Sequence, residues 1–193
     1  MSPFHQVLAN SLIQNVTNFT VWFALVFWGF LETRSVFVTG MIGGVYLVFT
    51  AGLAIWFGSL VDHHRKQVVI QASAVASFVC YALALGLYLA TPESEWRDAA
   101  SPLLWVFVVV LMLGVIAGNL RGIALPTLVT AMIAEDRRDR ANGLVGMVTG
   151  IGFMLTSAVS GFLVAWGGMQ ATLAFAMTPV SYTHLTLPTT ERV

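Results

Sequence analysis

Cysteine and charge are what this chain has least of. Cys80 is the single cysteine in 193 residues, which excludes an intramolecular disulfide framework. Asp, Glu, Lys and Arg together make up 9% of the chain, against about 25% in soluble domains. Hydrophobic side chains make up 58%. So few charges cannot keep so much apolar surface in water, and the composition is that of an integral membrane protein. The formal net charge is zero and no basic stripe occurs, so a nucleic-acid partner is excluded. His63 and His64 read as solvated loop residues outside any metal-ligand cluster, and no cofactor or metal is expected. The Gly-x-x-x-x-Gly-Lys-Ser/Thr pattern of nucleotide-driven machines is missing as well.

What is present is long apolar runs. A helix crosses the hydrocarbon with about 20 residues. Five segments qualify, roughly Val7–Leu31, Val36–Leu60, Gln67–Ala90, Pro102–Ile123 and Asn142–Trp166. A sixth begins near Met169. Runs of this length exclude a membrane β-barrel, whose strands alternate over roughly 10 residues. The first run is too long for a signal h-region and has no cations before it. Short connections make neighbouring helices antiparallel. The expected fold is therefore an all-α membrane bundle.

Orientation follows from Lys and Arg. One side holds Arg65, Lys66, Arg121, Arg137, Arg138 and Arg140, and the other holds Arg34 and Arg97 beside Glu32, Glu93, Glu95 and Asp98. This split places the N-terminus, the Asp62 loop and the Glu135–Arg140 loop in the cytoplasm, in a multi-pass protein of the cell (inner) membrane.

Between the second and third runs lies Gly58-Ser-Leu-Val-Asp62-His-His-Arg65-Lys66. It sets a glycine at the expected helix end, an aspartate one turn later and two cations beyond. Such hardware holds one conformation against another rather than breaking bonds. The segment resembles the loop motif between the second and third helices of the major facilitator superfamily, roughly Gly-x-Leu-x-Asp-Arg-x-Gly-Arg-Arg. Gly58, Leu60 and Asp62 match, His63 stands where Arg is frequent, Arg65 replaces the second Gly, and Lys66 keeps the basic character. The resemblance implies the N-terminal six-helix half of that fold, with five complete helices over residues 1–179 and a sixth cut short at about 179. A second half of the same protein would complete it. It also implies a switch in which Asp62 caps a helix of the other half and pairs with basic residues, favouring an outward-open state.

A second stretch, Arg121-Gly-Ile-Ala-Leu-Pro126 followed by Glu135-Asp-Arg-Arg-Asp-Arg-Ala141-Asn142, resembles the link between the fourth and fifth helices of macrolide-efflux and siderophore-export members. Antiporters of the family carry Gly-Pro and then Gly-Gly in the fifth helix. Here the region reads Gly152-Phe-Met-Leu-Thr156-Ser157-Ala-Val-Ser160-Gly161, without the Gly-Pro, which weakens the antiport assignment.

Within the first run, Asn10, Gln14 and Asn18 recur at every fourth residue and Trp22 continues the line, with Ser11 and Asn15 beside it. A polar stripe of this kind faces a cavity or other helices rather than lipid. Substrate contact and interhelical hydrogen bonding, worth about 0.6 kcal/mol per contact, both remain open for it. Arg121 is a further cavity candidate, with snorkelling to the interface as the alternative. Gly40 and Gly44, Gly146 and Gly150, and Ser157 and Gly161 have the small-xxx-small spacing that lets helices approach closely. No Asp or Glu lies inside the five spans. Proton coupling uses an intramembrane carboxylate, so that residue is expected outside this sequence, with Asp62 and Glu32 as weaker candidates.

The string Val180–Thr189 breaks the apolar pattern. It resembles one reading frame of the adapter in transposase-based sequencing libraries, with Thr190, Glu191 and Arg192 as a variable index. Segment 180–193 is therefore set aside as non-native, leaving Met169–Pro179 of the sixth helix.

The expected function is secondary active export of drugs or other small molecules by alternating access, coupled to protons, with the bilayer and a small-molecule substrate as partners and no enzymatic activity. An uptake permease of the same fold is the alternative. An intramembrane protease would need a Ser and a His within reach inside the membrane. Ser59 exists, but all four histidines lie near the N-terminus, in a loop or in the tail. The membrane half of an ATP-driven exporter would have longer cytoplasmic helix extensions than these loops allow.

Overall fold

In lipid a backbone satisfies its own polar groups only as a helix or a closed barrel, and these apolar runs take the first course. The structure is a computed structural model. It describes the backbone of residues 3–186 and, within that range, all side chains except those of 3–7, 11, 66–67, 124–132 and 179–186. The helices are α1 (Pro3–Thr33), α2 (Val36–His63), α3 (Lys66–Ala90), the short α4 (Glu93–Arg97), α5 (Pro102–Met132) and α6 (Arg138–Thr186), with a 3-10 turn at Glu135–Arg137 before α6. Among the described residues there is no strand. Five helices are long and apolar enough to cross a membrane.

α6 contains a break. Gly167 (φ −146°, ψ 19°) and Gly168 (φ 61°, ψ −153°) are not helical. At about 1.5 Å per residue, its 49 residues would otherwise extend over more than twice the ~30 Å hydrocarbon core. The second arm returns to the bundle, where Met169, Leu173 and Ala176 join the main core. Only glycine holds the Gly168 backbone angles without strain.

The turn between α1 and α2 is equally tight. The Thr33 hydroxyl donates to the Gly29 carbonyl at 2.6 Å and accepts from the Ser35 N–H at 3.2 Å. Ser35 then caps α2 by accepting from the Val38 N–H at 3.3 Å. Between them Arg34 takes a left-handed φ of 52°.

Several boundaries differ from the hydropathy reading. α1 and α2 run beyond Leu31 and Leu60, and α5 passes Ile123 and Pro126 to Met132. α6 starts at Arg138, before Asn142, and its backbone stays helical past Pro179 to Thr186. Hydropathy measures the stretch that tolerates lipid, whereas a helix continues for as long as its backbone bonds are made. The remainder of the adapter-like segment, Pro188 included, lies outside the described residues. α4 was unexpected because Glu93-Ser-Glu-Trp-Arg97 is short and charged. Its Trp96 is buried against Trp28, Tyr88 and Phe107, with ring centroids 5.2–5.7 Å away. Arg97 lies 4.0 Å from Glu32 and 3.4 Å from Glu93, which fixes the end of α1 and the α3–α5 connection at one end of the bundle.

α1 and α5 form the centre, and α3 packs on α5 and α6. In their most apolar windows, 56% of α5 is buried but only 11% of α2. The outward side chains of α2, such as Leu47, Val48, Ile55 and Trp56, are apolar. In water they would be an aggregation hazard, and in a bilayer they are the lipid-facing surface.

Candidate functional site

Inside an apolar core, a polar side chain has to find a partner, and the partners chosen here converge on Asn18. The Tyr81 hydroxyl of α3 donates to Asn18 Oδ1 at 3.1 Å. Asn18 Nδ2 donates to Asn119 Oδ1 of α5 at 3.2 Å. Asn119 Nδ2 in turn donates to the Tyr46 hydroxyl of α2 at 3.1 Å. Four helices are thereby linked through one chain of hydrogen bonds. Trp22, one turn beyond Asn18, stacks on Tyr46 with centroids 3.9 Å apart and planes 27° from parallel.

The chain of bonds fits because α5 is thin at this level. Gly114, Gly118 and Gly122 recur every fourth residue. A Cβ on Gly114 would lie 2.7 Å from the Tyr81 ring, and one on Gly118 would collide with Asn18 Oδ1. Ser73 and Ser77 continue the Tyr81 stripe on α3 and donate to the Ala117 and Gly114 carbonyls at 2.6 and 2.8 Å. These bonds hold α3 against α5 and aim Tyr81 at Asn18.

Next to the cluster lies a cavity of about 290 Å³ between α1, α2 and α5. Asn15, Asn18, Tyr46, Thr50, Gly118 and Asn119 supply its polar wall and backbone, and Phe19 and Phe57 are among its apolar lining. It falls just below the range of about 300–1,000 Å³ typical of ligand pockets. Arg121 is buried beside it, at 8% exposure. Its Nη2 lies 3.0 Å from the Cβ position of Gly118, and its Nη1 has no hydrogen-bond partner. Of the four residues expected to line a cavity, Asn18 does so, while Gln14, which is buried on α1, Trp22 and Arg121 are not among the lining residues.

The residues singled out in the α2–α3 segment are placed differently from their reading. Gly58 lies inside α2, five residues before its end at His63, and Asp62 falls in the last turn. Asp62, His63, His64 and Arg65 are exposed. A Cβ on Gly58 would meet nothing within 4 Å, and the Lys66 side chain lies outside the described residues. Asp62 makes no ion pair with a described residue. Val61 of the same turn packs against Val69, Ile116 and Leu120, so the turn sits on its neighbours while Asp62 and the residues after it stay exposed. The two imidazoles instead close the helix end: Nδ1 of His63 lies 2.8 Å from the Ser59 carbonyl and Nδ1 of His64 3.2 Å from that of Leu60.

The glycines expected to pack helices closely make no close contact within this chain. Gly40, Gly44, Gly146, Gly150, Ser157 and Gly161 are all exposed, and a Cβ on any of the five glycines would meet nothing within 4 Å. They lie on the outward faces of α2 and α6. The close approaches are made by Gly114 and Gly118 instead, and by Gly152, whose Cβ position is 3.3 Å from Leu12 on α1. Sequence reading passed over Tyr46, Tyr81, Asn119 and the α5 glycines. The four-residue spacing of Ser73, Ser77 and Tyr81, and of Gly114, Gly118 and Gly122, was the available signal.

Five long apolar helices around a polar cluster and a cavity define a multi-pass membrane protein. The family comparison names the class more closely. Residues 7–181 match the family model described as Major Facilitator Superfamily, and the chain belongs to that superfamily of membrane transporters. No curated protein and no solved structure matches it.

Proposed function

We propose that this chain forms the first, substrate-binding bundle of a proton-coupled exporter of drugs or other small molecules, working by alternating access. The observation that carries the reading is the Asn18-centred cluster beside the cavity. Four helices contribute to it, and a rocking motion of the whole bundle would open the site to one membrane face and then to the other. Export rather than uptake is supported by the resemblance of the Arg121–Asn142 stretch. The exposed position of Asp62 and Arg65 suits a contact with a second six-helix half, and in that role Gly58, Asp62, Arg65 and Lys66 bias the switch. The coupling carboxylate then belongs to that second half. The protein resides in the inner membrane with its N-terminus cytoplasmic. Val180–Val193 is foreign sequence in this reading, which is supported by the adapter resemblance.

The test uses the protein encoded by residues 1–179 and their continuation in genomic DNA, read without library adapters. A frame that continues into Val-Ser-Tyr-Thr-His and stops after Val193 would refute the foreign-tail proposal. Cells expressing the protein are loaded with fluorescein or ethidium. Efflux abolished by a protonophore is expected. Energy-dependent accumulation would identify the uptake permease, and movement of neither dye would contradict the reading.

A further inference from the structure

A guanidinium keeps its proton in proteins, so a buried arginine is a buried charge. Such charges are paired, because removing them from water without a counter-charge is costly. Arg121 is buried and lies in the span Pro102–Ile123, and no Asp or Glu occurs in that stretch. The ion pairs among the described residues are made elsewhere, by Arg97 and Arg137. Arg121 Nη1 has no partner.

The surroundings of the guanidinium are rich in donors. Gly118 and Gly122, which flank Arg121 on α5, both line the cavity. The space over Gly118 is shared by Arg121 Nη2 and Asn18 Oδ1. The Asn18 and Asn119 amides each spend one N–H within the cluster, which leaves each a second. The Tyr46 hydroxyl accepts from Asn119 and retains its own hydrogen. Across the cavity on α2, the Thr50 hydroxyl is buried without a partner. Two amides and two hydroxyls line this small space, and the guanidinium, which is not itself a lining residue, lies beside Asn18 over Gly118; with no carboxylate among them, these groups match acceptor oxygens that carry negative charge. Carboxylates and phosphates are the groups an arginine fork recognises through paired hydrogen bonds.

We infer that Arg121, with Asn18, Asn119, Tyr46 and Thr50 around it, forms an anion-binding subsite, and that the ligand of this cavity carries a carboxylate or phosphate group. The inference rests on the cavity being the ligand site, and the experiment separates the two. The 193-residue chain is placed in zwitterionic nanodiscs and titrated calorimetrically with benzoate, phenyl phosphate, benzyl alcohol and benzylamine, which share one ring and differ in charge. Benzoate and phenyl phosphate bind at least tenfold more tightly than the other two. Arg121→Gln removes that preference, and Arg121→Lys keeps part of it. Because Arg121→Gln deletes an unpaired buried charge, its melting temperature without ligand is equal to or above that of the wild type, which confirms that the variant folds. Equal binding of all four probes would overturn the anion subsite and leave the cavity as a ligand site. Binding of none by the folded chain would overturn both. Repeating the titration with anionic phosphatidylglycerol in the disc distinguishes the source of the anion. A loss of benzoate affinity that Arg121→Gln does not show assigns the subsite to a lipid headgroup, and an unchanged affinity assigns it to a soluble ligand.

Discussion

Asn18 shows how far one side chain can be read from its neighbours in sequence. Its place in a four-residue polar stripe was visible, and so was the requirement that the stripe avoid lipid. Its partners were not, since Tyr81 and Asn119 lie 63 and 101 residues away. The same holds for glycine. Spacing alone put Gly40 and Gly44 on an equal footing with Gly114 and Gly118, and only the burial of α5 separates them. Gly118→Ala is expected to destabilise the chain by about 1–3 kcal/mol through overpacking against Asn18, whereas Gly40→Ala, which lies inside α2 and faces open space, should be neutral or stabilising by up to about 1 kcal/mol. Thermal unfolding of both variants in the same detergent checks this, and equal shifts would show that the α5 glycine stripe is not a close contact. At the α2–α3 turn, Asp62→Asn is expected to slow transport severalfold in the protein with its second half while expression holds. Wild-type rates in vesicles would count against a switching role for the carboxylate.

At the scale of elements, hydropathy located the long helices but not their overhangs. The sequence reading ends the span at Ile123, whereas the α5 backbone stays helical for nine residues beyond it, through Pro126. The opposite case is α6. The sequence reading separates a run ending at Trp166 from one beginning near Met169, and the break at Gly167–Gly168 falls between them. Gly168→Ala forces a side chain onto a φ of 61° and a ψ of −153°, at a cost on the order of 1–3 kcal/mol. Lower protease resistance of the second arm in that variant is the expected result, and an unchanged digestion pattern would show that the break tolerates a side chain. α4 escaped the sequence reading because five mostly charged residues carry no helical period. Trp96 is what gives α4 its place, since Trp28, Tyr88 and Phe107 have already built the aromatic box it fills.

For the whole molecule, the inversion of a soluble protein's surface is the main fact. Apolar side chains cover the outside of α2 and α6, and the polar ones gather where α1, α2, α3 and α5 meet. The cation split predicts that cysteines placed at Ser94 and Asp136 in a Cys80→Ser background label from opposite sides of intact cells, with Ser94 reacting from outside. Labelling at Asp136 and not at Ser94 would invert the topology. The central claim is that the polar cluster binds what the protein carries rather than only joining helices. Asn18→Leu tests it most directly, in the protein with its genomic continuation, by measuring the KM for the exported dye and the melting temperature on the same preparation. The account predicts a KM raised at least tenfold, beyond any change that the lowered melting temperature accompanies in Thr33→Ala, which loses the hydrogen bonds of the α1–α2 turn, away from the cavity. A KM equal to that of the wild type, with only stability reduced, would contradict it.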